Sequence, residues 1–323
     1  MRRLFASILL LTLPVRAFAQ TDSALMGKAG YWKPVTQRLP SGDPSDGPDL
    51  QPFVNNLNAV LAILKRAPVL AQPRGFVASP VVQRELGAPH RPLTGSVRVG
   101  VLFFRKEDGG SVVPQDAGPD VAVSINDASC VWSGHDVAFV DSTGSIYYDA
   151  PQDSSPVRGI PGFSADSSCL VIARRGVPVF APVSRERFLR NARDTLLARL
   201  RAVDAKSASA EVRRAMQPAL DTVRAIARHY DAELSAMSPA DRRAPAWVKS
   251  SEAGPMDLVA PGTEDARQLV TPNPNLFNAA LPRSAIQLMT IDAVAAGGDD
   301  GASALFARVR ESIDFAALAA LLK

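Results

Sequence analysis

Between positions 96 and 105 the apolar residues fall on every second position, with Val97, Val99, Val101 and Phe103 on one face. A period of two belongs to a strand, because successive side chains of a strand point to opposite faces. Leu102 and Phe104 make the other face partly apolar as well. A chain holding such a strand needs a sheet around it and a layer to cover that sheet.

The flanking patterns supply both. Upstream, Phe53, Leu57, Val60, Leu61 and Leu64 recur at helical spacing over 52–65, with Asp49 as the expected cap and Pro68 as the stop. The stretch 74–85 reads as an edge strand broken at Pro80. Downstream, Val121, Val123 and Ile125 alternate, and a strand pair at 136–140 and 145–148 flanks the turn Asp141-Ser142-Thr143-Gly144. A second hairpin is expected around Arg174-Arg175-Gly176, between strands at 169–173 and 177–180. One helix followed by an antiparallel meander predicts the helix lying across the sheet.

After Pro182 the period changes to that of a helix. Ser184 is the expected cap, and Phe188, Ala192, Leu196, Leu200 and Val203 form one stripe. Val212, Met216, Leu220, Val223, Ala227, Tyr230 and Leu234 form another, so the region reads as an αα-hairpin, with Pro218 kinking its second helix or starting that helix's stronger half. Short strands are expected at 268–271 and 286–291, and a closing helix at 302–322. The predicted fold class is therefore α+β: a helix packed on an antiparallel sheet, followed by an αα-hairpin and a C-terminal helix. The expected organisation is a signal peptide at 1–19, an extended N-terminal arm at 20–49, a helix-plus-sheet unit at 50–182, and a mostly helical part with a few strands at 183–323. If the late strands rejoin the first sheet, the last two parts form one domain.

The signal reading rests on Arg2 and Arg3, an apolar run from Leu4 to Val15, and Ala17-Phe18-Ala19 before Gln20. An apolar run of about twelve residues falls short of the roughly 20 that span a bilayer, so cleavage and export to the periplasm or medium are expected. Removal of Arg2, Arg3 and Arg16 lowers the formal net charge from +4 to +1. That near-neutral balance does not call for nucleic acid, and no membrane span is expected after cleavage. Within the arm, Tyr31 and Trp32 are expected to pin the chain onto the fold by burying their rings. Cys130 and Cys169 are the two cysteines, and in an exported chain they are expected to pair as a disulfide.

The candidates for chemistry are few, since the chain has three histidines. Ser133, His135 and Asp136 cluster in sequence and are the nucleophilic candidates, although a Gly-x-Ser-x-Gly elbow is absent. His229 and Glu233 share a helix face and are the metal-ligand candidates, without the HExxH pattern that would complete a site. His90 lies in a Pro-flanked stretch without acidic neighbours, and Asp299-Asp300 lacks the alternating ligands of a calcium loop. Phosphate loops and dinucleotide fingerprints are absent, so no cofactor is expected. The expected function is that of a non-enzymatic binding module for a protein or envelope component. The alternative is a periplasmic hydrolase assembled around His135.

Overall fold

Seven buried residues of one helix, Phe53, Val54, Leu57, Val60, Leu61, Ile63 and Leu64, set the first layer of the protein. The computed structural model describes residues 23–39, 44–85, 91–132, 137–150, 153–163, 169–206, 210–249, 256–293 and 300–323. The expected signal peptide lies outside the described residues.

The arm contributes β1 (Thr36–Arg38) and leads to α1 (Leu50–Arg66) and the single turn α2 (Pro68–Ala71). Then come β2 (Phe76–Glu85), β3 (Thr94–Lys106), β4 (Val112–Pro114) and β5 (Asp120–Ile125). The short α3 (Ser129–Trp132) precedes six strands: β6 (Val137–Val140), β7 (Ile146–Asp149), β8 (Asp153–Val157), β9 (Ile160–Phe163), β10 (Cys169–Ala173) and β11 (Phe180–Pro182). The helical region holds α4 (Arg185–Lys206), α5 (Ala210–Ala236) and α6 (Pro239–Arg243). The chain closes through β12 (Trp247–Lys249), β13 (Asp257–Leu258), β14 (Arg267–Pro272), β15 (Leu288–Ala293), α7 (Asp300–Ser312) and α8 (Phe315–Ala319). The fold is α+β.

Two sheets result. The larger runs β1-β2-β3-β5-β15-β10-β9-β8, with β4 on the end of β3. The smaller runs β13-β12-β14-β7-β6, with β11 on β14. All pairings are antiparallel except that of β1 with β2. On the large sheet, Val97, Val99, Val101, Val121, Val123, Met289 and Ile291 face α1, α7 and α8 in one apolar core. The small sheet packs against the helical hairpin through Tyr147, Phe188, Leu196, Tyr230, Val248 and Leu269. Burial pushes the Tyr230 phenol up to about 12, and its hydroxyl donates to the Met256 carbonyl at 2.8 Å.

Several sequence expectations change in the folded chain. The meander divides between the sheets, with β6, β7 and β11 in the small one and β8 to β10 in the large one. The turn at Arg174 forms, with the Val177 amide donating to the Arg174 carbonyl, but its flanks do not pair as a hairpin. β10 joins β9 and β15, whereas β11 joins β14 in the other sheet. The two strands thus leave the turn for different layers.

Pro80 does not break β2, which pairs with β3 from Phe76 to Glu85. The Ala78 amide donates to Tyr31 in the arm, so position 80, two residues on, also turns its nitrogen away from β3 and loses no bond on that side. Asp49 makes no capping bond to α1, because its carboxylate accepts from the Ser284 amide and hydroxyl instead. The expected closing helix is two, because Asp314 caps the Ala317 amide and starts α8 anew. In the arm, Trp32 donates to the Leu70 carbonyl at 2.8 Å and packs on the core, while Tyr31 stays 53% exposed.

Candidate functional site

The face of the large sheet turned away from α1 is not uniform. At one end it is apolar, where Val77, Leu102 and Phe104 are covered by Leu25 and Val112. Towards β10, Cys169, Val171 and Leu288 are apolar too and pack against Val131, Val179 and Leu276. Between these regions the outward positions are polar. Arg98 of β3 stands beside Ala122 of β5, and Ala122 stands beside Asp292 of β15. In the adjoining row Ser96, Ser124 and Thr290 are neighbours in the same way. Since strands lie about 4.8 Å apart, Arg98 and Asp292 are roughly 10 Å apart across the small side chain of Ala122.

Apart from Ser96, which is fully buried, that strip floors a cleft of about 780 Å³. Glu85 from the end of β2 lines it with Arg98, Ser124, Thr290 and Asp292. Its other wall comes from Asp127, Ser129, Cys130 and Trp132 around α3, and from Val137 and Tyr148 of the small sheet. The cleft therefore lies where the two sheets meet.

Each residue of α3 has a separate task. The Asp127 carboxylate accepts from the Ser129 amide and hydroxyl, both at 2.8 Å, and so fixes the first turn. Cys130 is disulfide-bonded to Cys169 of β10 with the Cα atoms 5.9 Å apart. Val131 is fully buried beneath the helix. Trp132 stacks on Tyr148, with ring centroids 4.5 Å apart and planes 24° apart. The disulfide holds the helix to the large sheet and the stack holds it to the small one.

The charges of the cleft are unequal. Arg98 lies 3.7 Å from Asp120, just beyond the cleft. The Glu85 carboxylate makes no side-chain hydrogen bond or ion pair with a described residue. Asp292 buries one carboxylate oxygen without a hydrogen-bond partner among the described residues. Burial, then the nearby Asp120 carboxylate, raise the Asp292 pKa above its ordinary range, and Arg98 opposes the rise.

Ser133, His135, Asp136 and His90 lie outside the described residues. The His229 Nε2 is 3.5 Å from the Glu233 Oε1 on the exposed side of α5. Among the described residues no group of three His, Cys, Asp or Glu side chains is placed to hold a metal ion. The structure thus does not bring His229 or Glu233 to the cleft. A second hollow of about 770 Å³ lies between the β8–β9 turn and the turn at Arg174, and among the described residues that line it there is no carboxylate or hydroxyl side chain. Compared with family models, curated proteins and solved structures, the chain matches none.

Sequence reasoning missed Glu85, Arg98, Trp132, Tyr148 and Asp292 as a group. A signal was present: Arg98 and Asp292 are charges at outward positions of strands, next to the inward apolar residues Val97, Val99 and Ile291. Their meeting depends on β15 entering the sheet beside β5, which no local pattern encodes.

Proposed function

We propose that this chain is an exported binding module whose inter-sheet cleft receives a small polar ligand or the polar end of an envelope component. The observation that carries this reading is the cleft itself. Its volume falls in the range of small-molecule sites, and its wall joins two aromatic rings to the carboxylates of Glu85, Asp127 and Asp292. Export is supported by the disulfide between Cys130 and Cys169, a bond that persists in oxidising compartments. Among the described residues no helix is long and apolar enough to cross a membrane.

Blocking the cleft tests the reading. Ala122 sits on its floor, so Ala122→Trp fills the space between Arg98 and Asp292. Small molecules extracted from the envelope should raise the melting temperature of the mature protein, and the blocked variant should lose that rise. The reading fails if the extract shifts neither protein, or shifts both alike.

A further inference from the structure

Cys130 and Cys169 share one bond but differ in access. Cys169 opens β10 and is 1% exposed, packed with Val131, Val171 and Leu288. Cys130 sits on the four-residue α3, is only partly buried and lines the cleft. A thiol therefore reaches the bond from the Cys130 side and not from the Cys169 side. The two ends also differ in what else holds them. β10 is bonded to β9 and β15 along its backbone, so its place in the large sheet does not depend on the disulfide. α3 is a single turn of helix, which does not hold itself. Beyond the disulfide, its ties to the two sheets among the described residues are the packing of Val131 and the stack of Trp132 on Tyr148. One buried valine and one ring contact do not offset the freedom that the segment regains when the bond opens.

We infer that the Cys130–Cys169 disulfide is a redox latch: a dithiol opens it from the cleft side, α3 comes away from the large sheet, and the cleft loses the wall that carries Trp132, while both sheets stay folded. The exchange balances in two steps. A thiolate of the dithiol attacks the Cys130 Sγ and forms a mixed disulfide as the bond to Cys169 breaks, and the Cys169 Sγ leaves as a thiolate that takes a proton from water. The second thiolate of the reagent then displaces the Cys130 Sγ, which closes an oxidised cyclic reagent and leaves two protein thiols. Two electrons pass from reagent to protein, and exchange with an oxidised disulfide reverses them. What the opening does to a ligand rests on the binding-module reading of the cleft, but the opening itself does not.

Reduction of the mature chain under native conditions tests the latch. Dithiothreitol in buffer without denaturant should reduce the bond, shift the Trp132 fluorescence towards the red, and leave the far-ultraviolet circular dichroism unchanged. Trp32 and Trp247 also emit, so Trp132→Phe should lose that shift. After treatment with glutathione, an acid quench and unfolding for peptide mapping, the chain should carry the adduct on Cys130 and a free thiol at Cys169. The inference is overturned if reduction needs the urea that unfolds the chain, or if the adduct lies on Cys169. It is equally overturned if the emission stays fixed, if it moves as much in Trp132→Phe, or if the dichroism shows the fold lost. None of these readouts uses a ligand, so the thermal-shift comparison of parent and Ala122→Trp with envelope extract still decides the binding reading separately.

Discussion

Asp141 shows how much one side chain can organise. It begins the turn between β6 and β7, and it is only 6% exposed. Its carboxylate accepts from the amides of Thr143 and Ser145, from the Thr143 and Tyr147 hydroxyls and from the Asn191 amide. Asn191 also bonds the Tyr147 hydroxyl, and Thr195 receives the Ser142 amide, so the turn is fastened to α4. Burial alone would raise the Asp141 pKa. The donors, with Thr143 first, outweigh it and hold the carboxyl below its ordinary value of 3.8. A carboxyl with a lowered folded pKa contributes stability that is present above the unfolded value and lost as pH falls through the folded one. Asp141→Asn should cost roughly 3 kcal/mol near neutrality, because its amide would face the donors of Tyr147 and Asn191. Urea unfolding of both proteins from pH 7 down to about pH 2 checks this: the gap should narrow below 3.8 as the parent's carboxyl takes up its proton. A gap that stays constant with pH would remove the ionised carboxylate from the explanation. Asp292 contributes in the opposite sense, since its raised pKa favours the folded state as pH falls.

At the scale of elements, the cross-links that shape the cleft matter more than the elements they join. α3 has four residues, too few to hold a helix by its own hydrogen bonds. Its position comes from Cys130, Val131 and Trp132, each tied to a different partner. Closing a loop of about 40 residues contributes about 4 kcal/mol in the chain-entropy model, and loss of such a bond typically costs 2–5 kcal/mol. The double variant Cys130→Ser, Cys169→Ser should therefore unfold at lower urea by about 3 kcal/mol, read from the denaturation midpoint. It should also dim any ligand response of the cleft, because Trp132 loses its tether to the large sheet. Unchanged stability would show that the packing of Val131 and Trp132 holds α3 without the bond. The long elements were legible because each satisfies its period within itself: α1, β3, β5 and the two long helices read directly from their apolar spacing. β8 and β9 were not, since Pro156, Pro161, Gly159 and Gly162 interrupt any alternation. Partnership was less legible still, as the turn after β10 shows. A turn signal fixes the local reversal but not whether the strands beyond it stay together. Asn126 is a further case. Its side chain bonds Leu93 and Ala285 as donor and Gln287 and Leu288 as acceptor from a left-handed backbone, φ 55°, yet its meaning depends on residues some 160 positions away.

For the whole molecule, the path of the chain decides what can fold alone. The chain builds β1 to β5 in the large sheet, crosses to β6 and β7, returns for β8 to β10, and crosses again for β11 through β14. It then comes back to place β15 between β5 and β10, and α7 and α8 on the core of the large sheet. Without β15, β5 and β10 have no bond to each other, and the large sheet falls into two pieces. The cleft needs the same return, because Thr290 and Asp292 come from β15 while Trp132 and Tyr148 come from the middle of the chain. A cut at position 183 thus leaves the first part without the strand that completes its sheet, and leaves the second without β6 and β7. Fragments 20–182 and 183–323, produced separately, should show no cooperative unfolding and no dispersed amide spectrum. Mixed together, they should regain both, since complementary pieces of one core associate when neither can bury its apolar face alone. If fragment 20–182 folded by itself with a sharp transition, β15 would be an addition to a finished sheet. The cleft would then have been built onto a stable unit rather than arising with the fold.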